Sequence, residues 1–361
     1  MKMTSEIEIG WPGQPTMNPR TQGIVRLWND ENFQDYSAKH VKIHLLRLTD
    51  LADGLAGQNL QIPDWNMPAV LPSDNEAFAR CLPYISAINF SFTNPKKPHP
   101  RFQVEDETGV YTGSQAMCRC FYRRFQNRLI QADSITNALA SERGAQSFFR
   151  GATPIPLLTH RIRYLLEVAR NLRVKFDDDW KNLFEAGRWR AFGDGNHLGI
   201  VDIIEMEFPK SFGQDCFFHS DKLRDNYPLR FSKRAQLWLM IYQGRALANP
   251  GKLRPLDDGE LLGPIADSAI PNALRACEIL AYNKELTQQI DDQIELLPHS
   301  SEVKEIRMAT VAAMQKLLSR INLKRSGLGK HPTSMLALDN ALWRLGRNLT
   351  KPAHLAQTTD Y

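Results

Sequence analysis

Past Gly113 the apolar residues of this chain return every three or four positions almost to its end, a rhythm that suits helices and little else. From Arg161 to Leu172, the residues Ile162, Leu165, Leu166, Ala169 and Leu172 fall on one face. From Val303 to Ile321, the residues Val303, Ile306, Thr310, Met314, Leu317 and Ile321 do the same. Pro154 and Pro156 stand where a proline opens a helix, and Pro271 is the first-turn proline of a helix predicted to run to Ile290. No Gly/Ser linker interrupts the pattern and no segment repeats, so residues 26–350 are expected to form one domain. A Pro- and Gly-rich arm at 1–25 and a tail at 351–361 are expected to flank it.

The first third is less regular. Val41, Leu45, Leu48, Ala52 and Leu55 predict a helix between Phe33 and Leu60, after a short connector. Pro63, Pro68 and Pro72 mark residues 61–80 as loop. The run from Tyr84 to Phe92 reads as a strand or a buried turn, and the three prolines between Asn94 and Pro100 impose another loop. Weak alternation from Phe102 to Tyr111 supplies a hairpin strand before Gly113. The expected fold class is therefore mainly α, with a few short strands near the N-terminal third.

With 361 residues, 42% of them hydrophobic and 24% charged, the chain has the make-up of a globular protein with a substantial core. Its net charge of +5 is spread over many segments, whereas nucleic-acid binders concentrate their cations. A small phosphorylated ligand accounts for so modest an excess equally well. The five cysteines are odd in number and lack zinc or redox spacing, and the nine histidines show no metal motif, so neither a metal nor another cofactor is expected. No run approaches the roughly 18 apolar residues of a membrane span, and the first fifteen residues lack a signal-like apolar core. A cytoplasmic protein without membrane contact is the expectation.

Several side chains are candidates for chemistry. The stretch RFSKRAQ (230–236) starts an apolar-faced helix with two adjacent cations, Lys233 and Arg234, where each opposes the helix dipole by roughly 0.3–1 kcal/mol. An exposed basic pair is the ordinary reading of such residues, and a neighbouring anion is the functional one. Asp267, in IADSAIP, is placed to cap the following helix or to offer a carboxylate to a pocket, and the two roles are compatible. Ions that enter a core unpaired are costly, so Lys233 and Asp267 are expected to pair with each other or with a ligand. Asp339, amid LALDNALW, reads as a cap or a buried acceptor. Asn89, Phe90 and Phe92 in INFSF suit either a plain core or the stacking and hydrogen bonding of a flat heterocycle. Phe212 and Asp215 are weaker candidates. Glu305 and Arg307 project from different faces of their helix, which argues against a mutual ion pair.

Taken in order, these stretches resemble one family, the queuosine salvage proteins or queuosine 5′-phosphate N-glycosylase/hydrolases. The resemblance is carried by INFSF (88–92), the glycine-led helix after Gly113, FFRG (148–151), IPLLTHRIRYLLEVARNL (155–172) and the stretch from Phe208 to Asp215. It continues through RFSKRAQ, IADSAIPNALRACEILAYNKEL (265–286), SSEVKEIRMATV (300–311) and LALDNALW (336–343). It implies a helical fold like that of the helix-hairpin-helix DNA glycosylases, and hydrolysis of the N-glycosidic bond of queuosine 5′-monophosphate. It further implies that Lys233 and Asp267 are the active-site lysine and aspartate. A small-molecule substrate is then the expected partner, with no stable nucleic-acid complex. Thr93, Ser114-Gln115 and Ser268 depart from the resemblance, since the family carries aromatic residues there, and a related modified nucleotide is an alternative substrate. The rival of another class is nucleic-acid binding through a helix-hairpin-helix-like element, for which Ser326-Gly327-Leu328-Gly329-Lys330, after Lys324-Arg325, is the nearest match.

Overall fold

The computed structural model describes residues 17–361 except 37, 127 and 222–223, and side chains throughout these except at 36 and 218–228. Its architecture is mainly helical, with three small antiparallel pairs of strands. Two long helices form the centre. Ser301–Gly327 follows the Ser300 side chain, which accepts from the Val303 amide (3.4 Å), and Ile306 to Met314 are buried on every face. Lys233–Ala248 is buried almost all round as well. A helix with no solvent face belongs to the middle of a core.

Two glutamines of Lys233–Ala248 are met by other segments. Gln236 Oε1 accepts from Asn18 Nδ2 (2.7 Å) and the Gly263 amide (2.9 Å), while Gln243 Oε1 accepts from the Leu256 amide (2.8 Å). Asn75–Ala87, opened by the Asp74 cap on Ala77 (2.8 Å), packs against it. Two shorter helices, Ala269–Ala276 and Met335–Arg347, lie so close that a Cβ on Gly346 would collide with the Ala269 carbonyl oxygen. Glycine is the residue that permits this approach.

The predicted helical faces of 161–172 and 303–321 lie within Leu158–Phe176 and Ser301–Gly327. The hairpin is present as Gln103–Asp106 paired with Gly109–Thr112. Elsewhere the chain differs from its sequence pattern. Residues 75–80, expected as loop, and Tyr84 to Ala87, expected as strand or buried turn, belong to one helix, Asn75–Ala87. A run buried on all sides shows no period by which helix and strand can be told apart. The 33–60 segment divides into Val41–Ile43, a strand, and the helix Leu45–Ala56. The helix at Pro271 stops at Ala276, because Leu280–Tyr282 turns back to pair with Val41–Ile43 before Lys284–Asp291 resumes. Strands thus also occur in the middle and last thirds, with Cys216–Asp221 paired to Arg224–Arg230.

Both expected flanks are partly core. Asn18 caps the helix Pro19–Trp28, whose Ile24 and Trp28 are buried, so the arm reading fails from residue 18 onward; residues 1–16 lie outside the described residues. Pro19, within the expected arm, is the first residue of that helix, where a proline is tolerated. The tail is held down as well. Ser91 Oγ donates to the Thr358 carbonyl (2.7 Å) and accepts from its amide (3.1 Å), and the Ser91 amide donates to the Tyr361 carbonyl (3.2 Å).

Candidate active site

Ser232 takes a left-handed conformation (φ 52°) and turns the chain into the helix that Lys233 begins. The Lys233 amide donates to Asp215 Oδ2 (2.9 Å), and Asp215 is held in turn by both terminal nitrogens of Arg307 (2.6 and 3.0 Å). This buried pair fixes the helix start. The Lys233 ammonium donates to the Asn89 carbonyl (2.8 Å), with Asn89 Oδ1 at 3.4 Å. Burial pushes the lysine down to about 8, while the negative charge of Asp267 works against that fall.

Asp267 carries both of its expected roles at once. Its Oδ1 accepts from the amides of Ala269 (2.8 Å) and Ile270 (3.3 Å), capping Ala269–Ala276 from one residue before the formal cap position. Its Oδ2 accepts no hydrogen bond from any described residue and is left for the cavity. Arg307 Nε steadies the loop by donating to the Ala266 carbonyl (3.0 Å). One residue further back, the Ile265 amide donates to Asp339 Oδ2 (2.8 Å). Burial pushes Asp339 up to about 8; that hydrogen bond and Lys233 oppose the rise, and Asp267 adds to it.

These groups line one cavity with two lobes that share Asn89, Ser114, Asp267 and Trp343. The first lobe, about 280 Å³, is walled by apolar residues such as Ile62, Trp65, Leu71, Leu237 and Met240, with Asp339 and Asn340 as polar points. The second, about 550 Å³, is polar and holds Arg101, Lys233 and Arg347 with the 349–356 segment and Tyr361. An apolar slot with few polar anchors suits a flat base, and a polar chamber beside it suits a sugar and its substituents.

Of the residues singled out in the sequence, Lys233, Asp267, Asn89, Phe90, Phe92 and Asp339 line this cavity. Phe212, Asp215 and Arg234 do not. Arg234 is buried between the rings of Phe90, Tyr164 and Phe212 and donates to the Ala87 carbonyl (2.5 Å). These three stand behind the wall and set its shape, and expecting them to touch a ligand ascribed to chemistry what is packing. Trp65, Arg101, Trp343 and Arg347 line the cavity without having been singled out. Trp65 and Arg101 lie outside helices and Arg347 is the last residue of one, where no apolar period marks them, while Trp343 sits within the apolar run of Met335–Arg347. At the positions of departure, Ser114 and Gln115 face the apolar lobe, and Thr93 and Ser268 face the polar one. Trp65 and Trp343 supply aromatic surface to the base side from elsewhere in the chain.

The candidate nucleic-acid hairpin has its cations engaged. Arg325 is buried and donates to the His331 and Gln58 carbonyls (2.6 and 2.7 Å), Lys324 pairs with Asp53 (3.1 Å), and Lys330 reaches the Gly57 carbonyl. Glu305 accepts from the amides of Lys39, His40 and Val41 and makes no ion pair with Arg307. Among the described residues, no three His, Cys, Asp or Glu side chains gather as a metal site, and no helix is long and apolar enough to cross a membrane.

Residues 71–359 match the family model for the queuosine salvage protein. A queuosine 5′-phosphate N-glycosylase/hydrolase of Sphaerobacter thermophilus is 27% identical over 317 residues, covering 87% of this chain and 91% of that one. The proteins of the same name from Dictyostelium discoideum (27% over 215 residues, 57% and 59% of the two chains) and Schizosaccharomyces pombe (25% over 284 residues, 73% of each) are also similar.

Proposed function

This chain belongs to the queuosine salvage protein family, and from that premise we propose that it hydrolyses the N-glycosidic bond of queuosine 5′-monophosphate, releasing queuine and ribose 5-phosphate. The observation that carries the reading is the position of Asp267, with one oxygen free at the junction of an apolar and a polar lobe and Lys233 close enough to act on it electrostatically.

The leaving base is a 7-deazapurine, in which carbon replaces N7, so it cannot be activated by protonation there. The burden shifts to the sugar. As the bond from C1′ to the base lengthens, its electron pair leaves with the base and positive charge grows on the ribose ring. Asp267 Oδ2 stabilises that charge and takes the proton of the water that adds to C1′. Fixed charge in a partly dry site is worth several kcal/mol toward such a transition state. The electron pair on the base ends as an N–H bond, which closes the balance of the hydrolysis.

Lys233 sets a positive charge near Asp267 and faces the ribose oxygens. In the apolar lobe, Asp339 and Asn89 accept from the ring N–H and amino donors of the base, with Trp65 and Trp343 against its faces. The test is incubation of the purified protein with queuosine 5′-monophosphate and chromatography of the products. Release of queuine with one equivalent of ribose 5-phosphate supports the reading, and an intact nucleotide after prolonged incubation refutes it.

A further inference from the structure

We propose that Arg161 is a positioning residue of this reaction: it fixes the run Ile88–Ser91 so that Asn89 turns its side chain to the base and its carbonyl to Lys233. The proposal rests on the reading of the site given above. Its ground is the row of carbonyls that follows the helix Asn75–Ala87. A helix end leaves its last carbonyls without partners, and residues 88–91 belong to no helix or strand that would supply them. Here five consecutive carbonyls each accept from a buried cation. Arg234 donates to that of Ala87 (2.5 Å) and the Lys233 ammonium to that of Asn89 (2.8 Å). Arg161 meets the other three, donating to Ile88 through Nη1 and to Phe90 (2.6 Å) and Ser91 (2.8 Å) through Nη2. Asn89 lines both lobes of the cavity, so any shift of this run moves an acceptor for the base and the anchor of Lys233 together.

Arg161 is itself firmly placed. It stands in the first turn of Leu158–Phe176, after Leu157 has entered the helix in a left-handed conformation (φ 53°). Its Nε donates to the Pro156 carbonyl (2.9 Å), and its guanidinium lies 4.3 and 4.9 Å from the ring centres of Phe90 and Phe92. The side chain is wholly buried, and among the described residues its hydrogen-bond acceptors are all carbonyls. An ion held in a core without an acid is costly, so an apolar side chain would stand here if packing were the task. A guanidinium fans its donors to four carbonyls at fixed angles, whereas an ammonium carries three donors on a single point. Ser91 needs that hold, because it is a non-glycine residue kept at φ 37°.

The experiment compares R161K with R325K and with the unaltered protein. Arg325 is also a buried arginine that donates to carbonyls, but to those of Ala56, Gln58 and His331, which do not line the cavity. R325K therefore reports what the loss of such a residue does to the fold alone. On queuosine 5′-monophosphate, R161K is expected to lose about 100-fold in kcat/KM, as a misplacement of about 1 Å does, and R325K to stay within about threefold. The amides of residues 88–91 should exchange with deuterium faster in R161K and at the parental rate in R325K. Parental kcat/KM in R161K, an equal loss in R325K, or unchanged exchange at 88–91 in R161K overturns the proposal. If the unaltered protein leaves the nucleotide intact, the function proposed above fails, and the exchange rates alone decide whether Arg161 fixes the run. If R161K does not fold, exchange in the unaltered protein decides: the amides of Asn89 and Ser91 should open in step with that of Arg161, and independent opening refutes the link.

Discussion

Asp339→Asn should stabilise the protein while impairing it, and the gain should depend on pH in a calculable way. Asp339 is 6% exposed and is pushed up to about 8 from the ordinary 3.8, chiefly by burial. The folded chain therefore holds a proton that the unfolded chain releases, and the stability of the parent falls as pH rises from about 4 to about 8. Each unit of difference is worth about 1.4 kcal/mol, so the penalty at pH 7 is at most about 4 kcal/mol. Asparagine keeps an oxygen for the Ile265 amide and carries no charge to bury. At pH 7 the variant should melt as much as about 5 °C above the parent, from a melting entropy of roughly 2.1 cal/mol/K per residue. Urea denaturation at pH 5, 6, 7 and 8 is the assay, with queuine release measured on the same samples. The gain should widen steadily with pH while turnover stays below the parent's, because asparagine cannot give up a proton to accept both donors of the base. A gain that stays level between pH 5 and pH 8, or a variant less stable than the parent at pH 8, would show that Asp339 is not held as a costly buried acid.

Other outcomes follow from the same geometry. Asp267→Asn retains the cap on Ala269–Ala276, since asparagine caps as well as aspartate, so stability should change by no more than about 0.5 kcal/mol; turnover should fall at least ~100-fold, and near-parental queuine release from the folded variant would remove Asp267 from the mechanism. Lys233 loses its proton as pH rises through about 8, so turnover should decline above that value; a pH–rate profile for Lys233→Met with the same alkaline fall would assign it to another group. Gly113→Ala should displace the Arg101 guanidinium and strain the backbone, at a cost of roughly 1–2 kcal/mol read from thermal melts; an unchanged melting temperature would mean that the arginine does not rest on that glycine. Gly346→Ala must push its helix away from the Ala269 carbonyl, with a loss of about 1–3 kcal/mol in urea and a matching drop in rate; an unchanged denaturation midpoint would mean the helices are not so tightly fixed.

What the sequence discloses here follows burial geometry. Leu158–Phe176 presents one apolar face to the core, so its period is plain in the residues. Asn75–Ala87 is surrounded, and its period disappears into a continuous apolar run. The break after Ala276 is set by a partner strand at Val41–Ile43, some 240 residues away, which no local pattern announces. Lys233 and Asp267 are conspicuous because ions in apolar stretches need an explanation. Arg101 and Arg347 are not, because an arginine in a loop or at a helix end is ordinary until the fold sets two of them in one chamber. Asp215 shows the opposite case: a conspicuous acid whose task is to clamp Arg307 and the Lys233 amide rather than to meet a ligand.

The fastening of Ser91 to Thr358 and Tyr361 makes the polar lobe depend on the docking of the last stretch of chain described. Some of its wall, residues 349–356 and Tyr361, belongs to the last stretch of chain described, and the rest is contributed by segments as distant as Phe92 and Arg101. A chain that has formed its central helices but not yet docked that stretch already owns Lys233 and Asp267, yet surrounds them with bulk water, where opposite charges attract weakly. Catalytic competence then requires that docking. Bond-cleaving activity regained after dilution from denaturant should lag behind the return of helical circular dichroism, making the enzyme a clock for its own completion.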